Sequence, residues 1–369
     1  MKSVKAIIIG IGSYNDLGLI RSCGESGIKS IYLNHGSKLV VPIDKSKYVE
    51  EFRYIKPELI VTTVNEIANQ TPDCKYIVFP ASDIAVEALD ENYNTLESNV
   101  TTSHAHGRIV SLMDKSIMGQ MASEAGLVIP QTNVLKLEDR DFEMPLAFPI
   151  ILKPISSIAG GKSDIKICRD EDDLDTARSS LLKKGYQEVL AQQYLHNDYS
   201  EEIGITGVSY QDNVIIKGFI HKIRNRANIN NYGIVYPELP NDVLEPLNKY
   251  IKLTGYQGIF DTDFIRYNDK MYFIECNFRN GAYGYAMTSA KFNMPSVWIG
   301  LNTGDKVNDE IKLRKVKFME ERTDMLNVID HSMPLLSWLK DFISCNTLLW
   351  WNRKDMKPFI IHNLTKLHL

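Results

Sequence analysis

Along the first hundred residues, solid apolar runs alternate with stretches of helical spacing. Residues 6–9 form an uninterrupted apolar run that reads as a buried strand. Residues 15–26 carry a helical pattern, and 28–33 read as the next strand. Residues 58–69 and 84–94 read as helices flanking a strand over 76–80. Strands alternating with helices predict a parallel sheet with helices on its faces. A new unit begins near His104. A helix is expected over 108–125, ended by Gly126, then a lead through Ile129-Pro130-Gln131-Thr132 into a strand. Further strands are predicted over 148–153 and 164–168. A helix over 170–184 has acids in its first turn and lysines in its last, matching the helix dipole. Strands over 189–194, 200–210, 214–223, 258–266 and 271–276 follow with short connections, so the second half is mostly antiparallel. The last sixty residues contain Leu335-Leu336-Ser337-Trp338 and Leu348-Leu349-Trp350-Trp351, expected to pack against the main body.

Composition narrows the classes. At 369 residues, with 44% hydrophobic and 24% charged positions, the chain is an ordinary globular protein of two or three domains. Disorder, collagen and a disulfide scaffold are excluded. With 42 Lys+Arg against 46 Asp+Glu the formal charge is -4, and no long basic block suggests nucleic acid or an anionic membrane as partner. The cysteines, Cys23, Cys74, Cys168, Cys276 and Cys345, are scattered and never form CxxC, so neither a disulfide framework nor a zinc site is expected. The apolar run from Ala6 to Gly12 lacks a small-x-small cleavage site, and no stretch approaches the ~18 apolar residues of a membrane span. The expected location is cytoplasmic.

The turn Gly10-Ile11-Gly12 sits where a dinucleotide fold would put its glycines. The third glycine would fall at Asn15, and the second strand ends in Leu33-Asn34 rather than an acid for a ribose. A tight strand-to-helix turn is the favoured reading, and nicotinamide dinucleotide binding the alternative.

The chemistry-bearing residues lie further on. Asp263 belongs to one predicted strand and Glu275 to the next. If Asn268-Asp269-Lys270 form a three-residue loop, Asp263 faces Glu275, and Asn277 shares their face; a two-residue loop would put the acids on opposite faces. On one face the three make an oxygen cluster suited to Mg²⁺; the other reading is a solvated polar hairpin. Lys153 ends an apolar strand, where a charge needs a counter-ion or a snorkelling route. The following loop, residues 156–163, contains Ser157, Gly160 and Gly161 and could lay backbone N–H groups over phosphates, or be a plain turn.

In this order the segments resemble the ATP-grasp superfamily. Its members carry an Asp-Lys helix ahead of a G-(I/V)-P-x-T strand, here Asp114-Lys115 and then Gly126 to Thr132. They have a KP-ended apolar strand before a glycine-rich loop, here Phe148 to Pro154. A hinge strand follows, here Leu190 to Leu195, then Asp198-Tyr199-Ser200. They close with "DF…ExN", here Asp263-Phe264 and Glu275-Cys276-Asn277. The resemblance spans roughly residues 5 to 300 and implies Lys115 and Lys153 on the phosphates of ATP, with Ser157, Gly160 and Gly161 closing over them as a lid. It implies the backbone of Gln193 and Leu195 at the adenine edge, Asp198 at the ribose, and Asp263, Glu275 and Asn277 on magnesium. Gln192 stands where many members have glutamate, and its carbonyl could still accept from the adenine amino group. Arg279, with Lys222 and Arg224 of the basic strand end, is a candidate to stabilise an oxyanion; the other reading of that basic strand end is a solvated loop edge.

The implied fold class is α/β, mixed α+β: a Rossmann-like domain over 1–104, an ATP-grasp lid subdomain over 105–190, a catalytic subdomain over 191–303 and a C-terminal extension of unknown role over 304–369. The implied activity is an ATP- and Mg²⁺-dependent carboxylate–amine ligase working through an acyl phosphate, with small-molecule acid and amine as substrates. Phosphoryl transfer asks the protein mainly for positioning and charge neutralisation, which lysines and a divalent ion supply. Residues 258–298 are similar to the D-aspartate-ligase-like group, which by analogy suggests a sugar acid or cell-surface precursor as one substrate. A carbamoyl-phosphate-synthase-like or peptide ligase, and a non-catalytic ATP-binding module, are the alternatives. A homo-oligomer is left open.

Overall fold

The computed structural model describes residues 3–37, 39, 42–139, 144–155, 164–226, 229–305 and 311–367. Three sheets order them. The first contains β1 (Val4–Gly10), β2 (Ser30–Asn34), β3 (Val49–Tyr54), β4 (Lys75–Pro80) and β5 (Val100–Thr102). All pair in parallel, in the order β3-β2-β1-β4-β5. Parallel neighbours need crossovers, and helices α1 (Tyr14–Glu25), α2 (Ile60–Gln70) and α3 (Asp83–Glu91) supply three of them. Ala6 through Ile9 are fully buried, which is why the run carries no alternation: both faces of β1 are covered.

The expected helix over 108–125 is two helices, α4 (Ile109–Leu112) and α5 (Lys115–Ala125). Asp114 breaks it: its carboxylate accepts from the N–H groups of Ser116 and Ile117 and caps α5. Lys115 thereby becomes the first residue of a helix and not an interior one. Gly126, at φ 97°, ends α5 as expected.

The second sheet contains β6 (Thr132–Lys136), β7 (Ile150–Lys153), β8 (Lys166–Cys168) and β9 (Glu188–Gln193), in the order β6-β9-β7-β8 and antiparallel throughout. Helix α6 (Glu171–Lys183) packs on it through Leu174, Ala177 and Leu181. Strand β8 is shorter than expected because Asp164 turns away to accept from Lys184 and Tyr186.

The third sheet is seven-stranded and assembles β10 (Glu201–Tyr210), β11 (Asn213–Arg226), β12 (Ile229–Tyr236), β13 (Gly258–Tyr267), β14 (Lys270–Asn277), β15 (Val316–Met319) and β16 (Thr347–Leu348), in the order β14-β13-β10-β11-β12-β15-β16. Strand β12 and helix α7 (Asn241–Thr254) were not expected; α7 buries Val243, Leu247 and Ile251 against α5 and the sheet. Helices α8 (Gly284–Ser289) and α9 (Met294–Thr303) then lead to the C-terminal segment. No helix among the described residues is long and apolar enough to cross a membrane.

The C-terminal segment is part of the main body. Strands β15 and β16 extend the third sheet, and Leu349 and Trp350 join a core that also contains Ala6, Ile20 and Phe318. Arg21 fastens it. Its guanidinium, fully buried on α1, donates to Asp355 and to the carbonyls of Leu349, Trp350 and Asp355. The two side chains are 0% and 1% exposed, so neither charge has water as an alternative partner. The motif around Trp338 packs only in part: Trp338 is buried against Phe342 and Met319, but Leu335, Leu336 and Ile343 of the same helix are exposed.

Removing one partner of a buried ion pair strands the other charge. Asp355→Ala is therefore expected to lower the free energy of unfolding by about 3–5 kcal/mol. Urea denaturation checks this; a loss below about 1 kcal/mol, the range of surface pairs, would show that Arg21 is hydrated.

Candidate active site

The site begins at a hairpin. Asn268 and Asp269 have φ of 49° and 61°, the two left-handed residues of a two-residue turn between β13 and β14. Tyr267 pairs with Lys270, and the ladder runs regularly to Phe264 opposite Phe273. Continued unbroken, it would set Asp263 opposite Ile274 and leave Glu275 on the other face. Ile274 is instead an extra residue on β14, and beyond it Asp263 pairs with Glu275, Thr262 with Cys276 and Asp261 with Asn277. The loop has two residues and not the three of the shared-face reading, and a β-bulge restores the pairing that this loop would have broken. Asp261 joins the same face, although the sequence reading passed over it; the spacing Asp261-Thr262-Asp263 was its signal.

Two lysines approach these acids from different elements. Lys222 on β11 places Nζ 2.5 Å from Asp263 Oδ1, with the Tyr283 ring centroid 5.1 Å away. Desolvation disfavours the charged ammonium, but Asp263, Tyr283 and Asp261 outweigh it and raise its pKa well above the ordinary lysine value. Lys115, at the start of α5, places Nζ 3.9 Å from Glu275 Oε2. Asp261 is buried; that burial, with the neighbouring charge of Asp263, pushes its carboxyl up to about 7. Its Oδ1 has no hydrogen-bond partner among the described residues.

Across the cleft, Lys153 at the end of β7 donates to Gln192 Oε1 at 2.9 Å. Gln192 Nε2 in turn donates to Thr132 Oγ1 at 3.0 Å. Burial lowers the Lys153 pKa, Lys115 adding to the fall and Glu275 opposing it. The carbonyl expected to read an adenine amino group is thus engaged by a lysine. A cavity of about 190 Å³ opens here between the second and third sheets, lined by Lys115, Lys153 and Gln192 with the apolar Ile129, Leu190 and Phe273. Apolar walls with a few convergent polar groups suit a flat heteroaromatic ring bearing an anionic tail.

The other named residues fall in different places. Gln193 ends β9, where its N–H donates to the carbonyl of Gln131, and Leu195 is buried just beyond. Asp198 is exposed in a turn held by Asn197 and Ser200. Ser157, Gly160 and Gly161 lie outside the described residues. Arg279 donates to Asp83 Oδ1 at 2.6 Å, which ties the third sheet to α3 of the first. Arg224 is turned elsewhere: it holds Asp324 through two nitrogens at 2.7 Å each and Asp341 at 2.9 Å. That guanidinium anchors the C-terminal segment, and the structure does not bring it to the acidic pair.

Among the described residues no group of three His, Cys, Asp or Glu could hold a metal by itself. The two cross-strand carboxylates, Asp263 and Glu275, with the Asn277 amide on the same face, are donors of the type that suits Mg²⁺, which takes one or two carboxylates and completes its shell with phosphate oxygens; the orphaned Asp261 oxygen lies on that face too.

The glycine turn of the first sheet is already filled. Asp16 Oδ2 accepts from the N–H groups of Ile11, Gly12 and Ser13 at 3.0, 2.8 and 3.0 Å, and from the Tyr32 hydroxyl at 2.8 Å. A carboxylate of the chain itself occupies the seat that a pyrophosphate would need.

No protein-family model matches the chain. Among curated proteins, it is similar to the carbamoyl phosphate synthase large chain of Clostridium beijerinckii, 24% identical over 294 residues that cover 74% of this chain and 26% of that protein. It is also similar to the 2-oxoglutarate carboxylase small subunit of Hydrogenobacter thermophilus, 25% identical over 288 residues covering 71% and 58%. The chain thus spans about a quarter of the first relative and over half of the second. Among solved structures, it superposes on biotin carboxylase from Campylobacter jejuni with a TM-score of 0.65, 21% identity and coverage of 85% and 74%. It superposes on N5-carboxyaminoimidazole synthetase from Staphylococcus aureus with 0.66, 19%, 90% and 88%. The fold is the ATP-grasp fold.

With the turn filled, the chain is expected not to bind NADH: fluorescence titration should show no saturable change, and saturation would return the alternative reading of Gly10 and Gly12. Asp16→Ala, which removes the shared acceptor of three N–H groups and a buried phenol, is expected to cost about 3 kcal/mol of stability in denaturant unfolding.

Proposed function

We propose that this chain is an ATP-dependent carboxylate–amine ligase that activates its acid as an acyl phosphate. The observation that carries the reading is the cleft in which Asp263 and Glu275 share one face of the third sheet, with Lys115 beside Glu275 and Lys153 on the opposite wall.

A carboxylate is a poor electrophile. Transfer of the ATP γ-phosphoryl group to one of its oxygens gives ADP and an acyl phosphate; an amine then attacks the carbonyl carbon, and inorganic phosphate leaves. Lys115 and Lys153 would balance the phosphate charge and align the chain of phosphates. Asp263, Glu275 and Asn277, with Asp261 behind them, would hold Mg²⁺, which when bound neutralises developing charge on the phosphates. Ile129, Leu190 and Phe273 would enclose the base, with the backbone of Gln193 and Leu195 at its edge and Asp198 at the ribose. Lys222, held by Asp263 against the Tyr283 ring, and Arg279, held by Asp83, would face the acid and its oxyanion. Arg224 has no part in this step.

Bicarbonate is the first acid to test. The biotin carboxylase domain of Hydrogenobacter thermophilus 2-oxoglutarate carboxylase, solved with MgADP and bicarbonate, superposes on this chain with a TM-score of 0.63 at 20% identity. Small organic acids, amino acids and uronic acids, the last for a sugar-acid or cell-surface substrate, complete the panel.

Two variants and one trap test the reading. Lys153→Ala is expected to weaken ATP binding about tenfold to a hundredfold by calorimetry, the worth of one charge-assisted hydrogen bond. Glu275→Gln should cut turnover far more than it weakens nucleotide binding, and undiminished turnover would show that the hairpin face holds no catalytic metal. Hydroxylamine added with Mg·ATP should convert the true organic acid to a hydroxamate visible by mass spectrometry, and bicarbonate should instead raise ADP release. ATP bound with neither response across the panel would favour a non-catalytic nucleotide-binding module.

A further inference from the structure

A second cavity, of about 480 Å³, lies between α8, the end of α1 and the segment after β16. The groups around it include Lys291, Arg314, Arg353 and Lys354 against the single carboxylate of Glu25. Glu25 is already committed: Lys354 Nζ sits 2.8 Å from one oxygen and the Tyr285 hydroxyl donates to the other at 2.6 Å. Among the described residues, Lys291, Arg314 and Arg353 have no carboxylate in ion-pair contact. On a chain of net charge -4, this is a local concentration of uncompensated positive charge.

Lys291 gives an independent observation. It follows the C-cap of α8 with φ 82°, its N–H donating to the carbonyl of Thr288 and that of Phe292 to Met287. This is the two-bond helix ending that calls for a left-handed residue and favours glycine. The residues ending α5, α7 and α9 in left-handed conformation are Gly126, Gly255 and Gly304. At α8 the position is a lysine, and its side chain lines the cavity. A strained backbone is kept where the side chain has a use. Arg314 is fixed alongside, its Nε donating to the Ser289 carbonyl at 3.0 Å and its own N–H to Ala290 at 3.1 Å.

We propose that this cavity binds a small polyanion, a molecule bearing two or more phosphoryl or carboxylate groups, held by Lys291, Arg314 and Arg353. Its size admits one small molecule, and the polar Thr288, Ser289 and Asn346 are placed to complete the shell. The inference is independent of the ligase reading, because none of these residues belongs to the cleft described above.

Calorimetry of the full chain with inorganic pyrophosphate in metal-free buffer tests it. Saturable binding is expected, weakened about tenfold by Lys291→Gly and again by Arg314→Gln, the fold-change of one charge-assisted contact each. Binding is expected to persist in Lys153→Ala, which separates this cavity from the nucleotide cleft. Lys291→Gly removes backbone strain, so a raised Tm in that variant would certify that lost binding is not lost folding. Absence of binding, equal binding by Lys291→Gly and wild type, or loss confined to Lys153→Ala would each overturn the proposal. Citrate as a second titrant then distinguishes a carboxylate ligand from a phosphoryl one.

Discussion

The candidate site depends on one extra residue. A two-residue turn fixes the phase of β13 against β14, and that phase separates Asp263 from Glu275. Inserting Ile274 shifts every residue beyond it by one and brings Asp263, Glu275, Asp261 and Asn277 to a single face. Period two makes the effect all-or-none, since a slip of one residue turns a side chain to the opposite face. The other parts of the cleft answer to that face: Lys222 from the neighbouring region of the same sheet, Lys115 from the start of a helix that Asp114 restarts, and Lys153 from the second sheet.

The C-terminal segment is coupled to the same region through a chain of contacts. Arg21 and Arg224 bind it from the first and third sheets. Trp350 donates to the buried Glu320, and its ring meets Tyr14 edge-on at 5.9 Å. Glu320 and Lys222 both act on the Tyr14 hydroxyl, whose pKa burial raises above its ordinary value. The segment left without a role in the sequence therefore packs on Tyr14, whose hydroxyl feels the charge of the lysine that holds Asp263.

Much of the framework was legible because it rests on local pattern. The apolar run of β1, the dipole-matched charges of α6 and the glycine after α5 each declare themselves within a few residues. What was illegible depends on distant partners. Nothing near Arg224 says that Asp324 and Asp341 will take its donors, a hundred residues on. Nothing in the hairpin sequence announces the bulge, because Ile274 is an ordinary strand residue whose displacement only the partner strand reveals. Gln192 was recognised as a departure from the family pattern, but its hold on Lys153 follows from the pairing of Lys153 with Leu190 across β7 and β9. Asp16 could have been found: a Ser-x-x-Asp capping box directly after a glycine turn puts a carboxylate at the N–H groups of that turn.

These internal partners divide by how hard they are to displace. Asp16 is a fully buried ionisable group taking three backbone N–H bonds and a phenol, and an incoming phosphate would have to expel one anion to seat another. Lys153 is held differently. Its acceptor is a neutral amide, so a phosphate oxygen offers stronger, charge-assisted bonds, and the released Gln192 carbonyl is left at the wall of an open cavity. Lys222 and Asp263 stand between the two, an ion pair that a divalent ion could loosen by competing for the carboxylate alone. The same fold thus closes one phosphate-shaped seat with a permanent counter-charge and keeps another ready with an exchangeable one. On the function proposed above, nucleotide chemistry would follow the exchangeable partner, in the cleft between the second and third sheets and not at the glycine turn of the first.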